Sequence, residues 1–222
     1  LGLGDHIICN GLVRELARGR ELVKLISKTH NAFSVRCMFS DMANIEVLAV
    51  PDDADARQLF AMYKNNVAAW DVLGLGYMDK SWVENGSISF DEQFYKQAGV
   101  DFEKRWSSFS IPRNFNAESL LKMKATANRD SYTFLHEDTS RGYYIERGKL
   151  RDSLVVMPKR IDNIFNYAKT IEDAEEIHCI NSAFLLLADS LNTKGDLFFH
   201  RYSRNDGAVS NPTLRKNWRV YS

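Results

Sequence analysis

Apolar and polar residues follow one another along the chain with the periods of strands and helices in turn. The clearest case is the apolar run at residues 177–180, which has the length of a buried strand and ends at Asn181-Ser182. After it, apolar side chains recur at helical spacing as far as Leu191. Ser182 stands where a hydroxyl can cap the first free amides of a helix. This stretch predicts a strand that runs into an N-capped helix.

The same reasoning predicts further elements along the rest of the sequence. Strands are predicted at residues 21–27, 44–50, 71–75, 131–136, 153–157 and 196–200. Helices are predicted at residues 6–19, 31–42, 53–69, 90–98, 101–106, 117–127, 143–150 and 162–173. Strands and helices that alternate in this way favour a parallel sheet covered by helices, so the predicted fold class is α/β.

The alternation is interrupted after Asn85-Gly86-Ser87 by short helical segments rich in aromatic residues, and it then resumes. We therefore predict two Rossmann-type domains, an N-terminal one at residues 1–114 and a C-terminal one at residues 115–222. A glycine turn at Gly2 and Gly4 opens the first helix, as at the start of a Rossmann-type half. The strand that normally precedes such a turn would lie before Leu1, so the first domain is expected to lack it in this sequence.

Composition excludes several classes of protein. With 45% hydrophobic and 26% charged residues, the 222-residue chain has the composition of a soluble globular protein. Its 29 basic residues equal its 29 acidic ones, which gives no electrostatic footprint for nucleic acid or an anionic membrane. Neither a transmembrane run nor a signal peptide is apparent, and the three cysteines fit reduced core positions, so a cytoplasmic location is predicted. The five histidines show no metal-ligand spacing, and no metal is expected.

The glycine turn at the start of the chain carries the first candidate for chemistry. Asp5 follows Gly4 directly, with His6 beside it. A carboxylate in this place suits a general base near a bound hydroxyl. It suits equally well the cap of a helix, and the residues alone leave both interpretations open.

Two further turns follow predicted strands of the second half. One contains His136, Thr139, Ser140 and Arg141, and it combines hydroxyls with a guanidinium whose planar fork suits phosphate. The other is the Asn181-Ser182 turn, where free backbone amides and the positive end of the helix dipole suit a phosphate as well. His178, in the strand before it, is interpreted as buried and hydrogen-bonded.

The basic tail and the absence of three common motifs also bear on function. The tail after His200 is basic, and it is interpreted as a solvated surface, with a phosphate-facing lid as the alternative. G-x-S-x-G, G-x-x-x-x-G-K-S/T and G-x-G-x-x-G do not occur, which argues against an α/β-hydrolase, a P-loop nucleotidase and a standard dinucleotide oxidoreductase.

These turns, taken in order, resemble a known family. The opening G-L-G-D-H-I-I-C-N-G-L-V-R resembles the G-x-G-D-x-I-x-x-x-P-x-L-R start of heptosyltransferase-like glycosyltransferases, with Gly11 where that family usually has proline. The stretch E-I-H-C-I-N-S-A-F-L-L-L-A-D is similar to the later turn where the family holds the donor diphosphate. The loop Thr139-Ser140-Arg141 occupies the place of the family's other phosphate-contacting turn.

The resemblance implies a GT-B fold, in which two Rossmann-like domains face each other across a cleft. It also implies metal-independent transfer of a sugar from a nucleoside-diphosphate sugar to an acceptor hydroxyl, with Asp5 as the general base. The donor diphosphate would lie on His136, Thr139, Ser140, Arg141, Asn181 and Ser182, with Gly4, His6 and His178 as further candidates. The alternatives are a nucleotide-sugar epimerase and a nucleotide-sugar-binding protein without turnover.

Overall fold

The structure is a computed structural model of the chain, and it describes residues 2–66, 71–76, 88–159, 163–204 and 211–222. The chain divides into two compact units, Leu1–Pro112 and Arg113–Ser222.

The first unit contains a pair of parallel strands connected by a helix. Strand β1 (Val23–Lys28) pairs with β2 (Ile45–Val50) in the register Val23↔Ile45 to Lys28↔Val50. The unit's helices are α1 (Leu3–Ile8), α2 (Asn10–Ala17), α3 (Thr29–Met38), α4 (Asp53–Asn66), α5 (Phe90–Ala98) and α6 (Lys104–Ser107). Residues 71–75 have no strand pairing, so the third strand predicted for this half is wrong. The predicted helix at 53–69 reaches beyond the described residues at its C-terminal end.

The single helix predicted at residues 6–19 is two helices that meet at Cys9. The phenol of Tyr95 explains the break, because it lies between two groups that would bond each other in a continuous helix. Its hydroxyl donates to the Ile8 carbonyl at 2.8 Å and accepts from the Leu12 amide at 3.2 Å. A side chain inserted into the i to i−4 ladder is a recognised cause of helix bending.

Helix α2 also packs very closely against α6. A Cβ atom added to Gly11 would lie 1.9 Å from the carbonyl oxygen of Lys104. No side chain fits there, which gives a structural reason for glycine where the resembled family usually has proline.

The second unit is built on a five-stranded parallel sheet. Its strands are β3 (Thr133–His136), β4 (Val155–Val156), β5 (Glu176–Cys179), β6 (Asp196–His200) and β7 (Trp218–Tyr221), in the spatial order β4-β3-β5-β6-β7. The central strands are buried on both faces, as parallel strands usually are. Counted within the unit, the order is 2-1-3-4-5, which is common in doubly wound α/β folds.

Among the described residues of this unit, three α-helices accompany the sheet: α7 (Phe115–Thr126), α8 (Ala168–Glu172) and α9 (Ala183–Ser190). The predicted helix at 143–150 is wrong, since this stretch forms a bridge between Asp138 and Tyr143 and then a 3₁₀ turn at Arg147–Lys149. The helix predicted at 162–173 is a 3₁₀ turn, Ile164–Tyr167, followed by α8; its first residue lies outside the described ranges.

The basic tail is part of the folded unit. Asp189 in α9 is 2% exposed, and its carboxylate accepts from the amides of Arg215 and Lys216 and, at 2.9 Å, from the indole of Trp218. The Lys216 ammonium donates to the carbonyls of Ala188 and Leu191 at the C-terminus of α9, where a cation complements the helix dipole. Trp218 begins β7, a strand that was not predicted. These contacts fix the backbone of this part of the tail, and Arg215 and Arg219 are exposed, as a solvated surface requires.

The fold class predicted from the sequence is confirmed at the level of an α/β protein with parallel sheets. Within the described ranges, none of the helices combines the length and the apolar character that crossing a bilayer requires.

Candidate functional site

The strand order of the second unit reverses between β3 and β5. From β3 the chain moves outward to β4 on one side, and it returns to β5 on the other. Ligands of open α/β sheets bind at the carboxyl ends of the strands beside such a switch point. Here those ends carry His136, which closes β3, and the Asn181-Ser182 turn, which follows β5. We refer to this place as the switch-point crevice.

His136 and Ser182, which lie 46 residues apart in sequence, are in direct contact there. The Ser182 hydroxyl lies 3.0 Å from Nδ1 of His136, and it also caps α9 by accepting the Leu185 amide at 3.4 Å. Burial lowers the pKa of His136 to about 4, so the imidazole is neutral near pH 7. A neutral imidazole carries one N–H donor and one acceptor nitrogen, and the ring is held against Phe184 at 4.6 Å between centroids.

Two guanidinium groups are connected to the same turn, Arg204 directly and Arg141 through Tyr143. Arg204 donates to the Asn181 carbonyl at 2.7 Å, and its guanidinium carbon is 5.8 Å from the ring centroid of Tyr143. The guanidinium of Arg141 is 5.5 Å from the same ring. Contacts therefore connect Ser182, Asn181, Arg204, Tyr143 and Arg141 in series, which puts Arg204 beside the turn before α9 and links Arg141 to it through the Tyr143 ring.

The loop after β3 is organised by its own acidic residues. Asp138 accepts from the Ser140 hydroxyl at 2.7 Å and from Arg141 Nε at 2.6 Å, and these bonds lower the pKa of Asp138. Thr139, Ser140 and Arg141 form an exposed 3₁₀ turn. A phosphate at Arg141 would have to share that guanidinium with Asp138.

Glu137 fixes the path of the chain that returns towards the crevice. Its side chain is 1% exposed, and it accepts from the Ile145 amide at 2.8 Å and from Arg147 at 2.6 and 2.9 Å. This ion pair holds residues 145–147 against the end of β3 and so places Tyr143.

The candidates in the first unit form a separate group. Gly4 lies inside α1, one residue after its start, and not in a turn before the helix. The Asp5 carboxylate accepts the Gly2 amide at 2.7 Å, which is the capping contact that the sequence allows. Nε2 of His6 is buried without a hydrogen-bond partner among the described residues, and burial lowers the pKa of His6 to about 4.

Other polar groups lie away from the crevice. His178 is fully buried, bonded to His200 and Glu176, and is a core residue of the sheet. In the part of the chain that the structure describes, no cluster of three or more His, Cys, Asp or Glu could hold a metal ion.

The first unit also has an open groove of about 310 Å³, lined by Arg14, Arg18, Met42 and residues 107–110. It does not contain the predicted residues. The Arg14 guanidinium at its wall is already bound by both Asp41 oxygens and by the carbonyls of Met38 and Ser110. We therefore interpret the groove as a gap left by packing and not as a binding site.

The sequence does not predict two residues of the crevice, Arg204 and Tyr143. Arg204 belongs to the basic tail that is interpreted as a solvated surface, and Tyr143 begins a predicted helix. Their placement depends on tertiary contacts that the local sequence pattern does not contain.

The second unit thus belongs to the class of parallel α/β proteins with polar side chains at a topological switch point. Comparison of the chain with protein-family models, curated proteins and solved structures finds no match.

Proposed function

We propose that the chain is a glycosyltransferase that moves a sugar from a nucleoside-diphosphate sugar to an acceptor hydroxyl without a metal ion. The observation that carries this proposal is the contact of Ser182 with His136 at the switch point, with Arg204 on the adjoining Asn181 carbonyl. These groups surround the N-terminus of an eight-residue helix, α9, where a diphosphate would find hydrogen-bond donors and positive charge. The sequence resemblance supports the same assignment.

The proposed reaction needs charge stabilisation on the donor side. The acceptor oxygen attacks the anomeric carbon, the bond from that carbon to the diphosphate oxygen breaks, and the electron pair leaves with the nucleoside diphosphate. Arg204 and Arg141 would offset the charge that develops on the leaving group, and the N–H of neutral His136 would donate to it. Ser182 and Asn181 would orient the phosphates, with Thr139 and Ser140 at the neighbouring turn.

The acceptor side of the reaction is assigned to the first unit. Asp5 would exchange its bond to the Gly2 amide for one to the acceptor hydroxyl, and it would take the proton of that hydroxyl as the oxygen attacks. The GT-B arrangement of the two units, facing across a cleft, belongs to this proposal.

The two alternatives make different demands on the site. An epimerase would need additional acidic and histidine residues open to the sugar. Glu176, His178 and His200 of the second unit are each less than 9% exposed, so they do not meet that need as they stand. A nucleotide-sugar-binding protein without turnover would use the same crevice, and only activity measurements separate it from a transferase.

Ligand binding is tested by thermal shift with GDP, UDP, ADP and CMP. A nucleotide present at one hundred times its dissociation constant should stabilise the protein by about 2.7 kcal/mol. Ser182→Ala should abolish that shift, and Ser89→Ala is the matched control because Ser89 caps α5 through a bond of the same length, 3.4 Å. Absence of a shift with every nucleotide would remove the basis of the proposal.

Turnover is tested at Asp5. Asp5→Asn should lower sugar transfer by roughly 100- to 10,000-fold while nucleotide binding is retained. Asp52→Asn is the control, since Asp52 likewise accepts backbone amides, of Ala54 and Asp55, near the start of α4. Unchanged transfer in Asp5→Asn would exclude Asp5 as the base, and absence of transfer in the wild type would favour the binding protein.

A further inference from the structure

A chain of polar side chains, buried except for the half-buried Tyr202, crosses one face of the second unit's sheet, outside the switch-point crevice. Glu176 and His178 lie on β5, His200 ends β6, and Tyr202 lies two residues further along the chain. The distances are 3.2 Å from Glu176 Oε2 to His178 Nε2, 2.9 Å from His178 Nδ1 to His200 Nε2, and 3.3 Å from His200 Nδ1 to the Tyr202 hydroxyl. Both imidazoles are fully buried.

Neutral histidines allow only one direction of donation along this chain. Burial lowers the pKa of both residues, that of His200 to about 4, so each ring has one N–H near pH 7. The Glu176 carboxylate, which is paired with Arg151, can only accept, and His178 must therefore donate to it. His200 then donates to His178, and Tyr202 donates to His200. The Tyr202 oxygen is left to accept, and it accepts the amide of Glu146 at 3.0 Å.

Both ends of this chain of hydrogen bonds hold the same loop. At one end Tyr202 binds the Glu146 amide, and at the other Glu176 accepts Arg151 Nε at 3.1 Å and the Arg151 amide at 3.3 Å. The segment between Glu146 and Arg151 is thereby attached to the sheet at two points. Tyr143, which touches both crevice guanidiniums, lies three residues before the first of these points.

Tyr202 also belongs to the segment that supplies Arg204. The 3₁₀ turn Arg201–Arg204 follows β6 without a break. The hydrogen bond between His200 and Tyr202 therefore fixes the position of the turn that carries Arg204. One hydroxyl thus joins the turn that carries Arg204 to the loop that carries Tyr143.

We propose that Tyr202 is a positioning residue that keeps Arg204 and Tyr143 together at the switch-point crevice, and that nucleoside-diphosphate affinity depends on its hydroxyl. The second half of this statement rests on the function proposed above. Tyr202 touches no ligand in this scheme, and it acts through the two segments that it joins.

The test is Tyr202→Phe, measured by calorimetric titration with the nucleotide that gives the largest thermal shift. Loss of the hydroxyl removes two hydrogen bonds, the one donated to His200 and the one accepted from the Glu146 amide, and it should raise the dissociation constant by about tenfold. Tyr132→Phe is the matched control, because the Tyr132 hydroxyl is buried in the same unit and donates to the Thr170 carbonyl at 2.9 Å. The control should lose stability and keep its affinity within about twofold.

Amide hydrogen exchange separates this inference from the proposed function. In Tyr202→Phe, and not in Tyr132→Phe, we expect faster exchange at residues 143–146 and 201–204. If the wild type binds a nucleotide and Tyr202→Phe binds it equally well, the inference is overturned while the proposed function stands. If the wild type binds none, the proposed function fails, and the exchange rates decide the inference: faster exchange confined to these two segments supports it, and equal exchange in both variants overturns it.

Discussion

At Gly11 the packing of two helices leaves room for no side chain larger than a hydrogen atom. The backbones of α2 and α6 approach so closely there that a Cβ would meet the Lys104 carbonyl at 1.9 Å. Gly11→Ala should therefore force the two helices apart and lower the free energy of unfolding by about 1 to 3 kcal/mol. Chemical denaturation measures this effect. Gly148→Ala is the control, because a Cβ at Gly148 would meet nothing within 4 Å, and an equal loss in both variants would contradict the explanation.

The crevice residues differ in how far the sequence alone can identify them. Ser182 is identifiable, since a hydroxyl between a strand pattern and a helix pattern predicts a cap, and the cap is present. Arg204 is not, because it reaches Asn181 only after the whole of β6 has been placed beside β5. The assignment of the predicted residues to phosphate binding stays a prediction.

Among the elements, those with strong local signals were predicted well. Strand β6 and helix α5 have the predicted bounds, and β5 is displaced by one residue. The stretch 143–150 was predicted as a helix, but the Glu137–Arg147 ion pair and the bridge at Tyr143 hold it in another path. Strand β7 was missed because its four residues, Trp218-Arg219-Val220-Tyr221, gain their order from Asp189 and from β6.

The face of the sheet that buries His178 and His200 should make stability depend on pH. Burial, followed by the neighbouring His178 and Lys149, lowers the pKa of His200 to about 4, against about 6.5 in an unfolded chain. Between pH 4 and 6.5 the unfolded state therefore binds a proton at His200 that the folded state does not bind. The free energy of unfolding should be level above pH 6.5, and it should fall by about 2 to 3 kcal/mol for this residue as the pH drops to 4.

A variant isolates this contribution from the other titrating groups. The groups that face His200 are His178, Tyr202, Tyr221 and, across the Tyr221 ring, Lys149. His200→Gln removes one titrating imidazole, so the slope of unfolding free energy against pH between 5 and 6 should decrease by about 1.2 kcal/mol per pH unit. Denaturation at several pH values gives the slope. A slope equal to that of the wild type would contradict this prediction, because it would show that His200 binds its proton equally in the folded and unfolded states.

At the scale of the whole molecule, the sequence predicts two halves of similar layout, and the units differ in how far they fit that layout. The second unit has a five-stranded parallel sheet, whereas the described residues of the first have two paired strands. The hydrophobic period and the capping residues predict individual helices and strands, because both depend on neighbours in sequence. The meeting of His136 with Ser182 depends on strand order, and the sequence indicates that order only through the general rule for parallel α/β sheets.

The docked tail has a consequence for any shortened form of the protein. Strand β7 pairs along β6 in the register Leu197↔Trp218 to His200↔Tyr221, and so occupies the hydrogen-bonding groups of that strand's outer side. Removal of residues 211–222 would open the backbone of Leu197-Phe198-Phe199 to solvent, and an open, strongly apolar strand invites pairing with another molecule. We expect a chain cut at residue 210 to self-associate in light scattering at concentrations where the intact chain stays monodisperse. Residues 211–222 would thus protect the edge of β6 from aggregation.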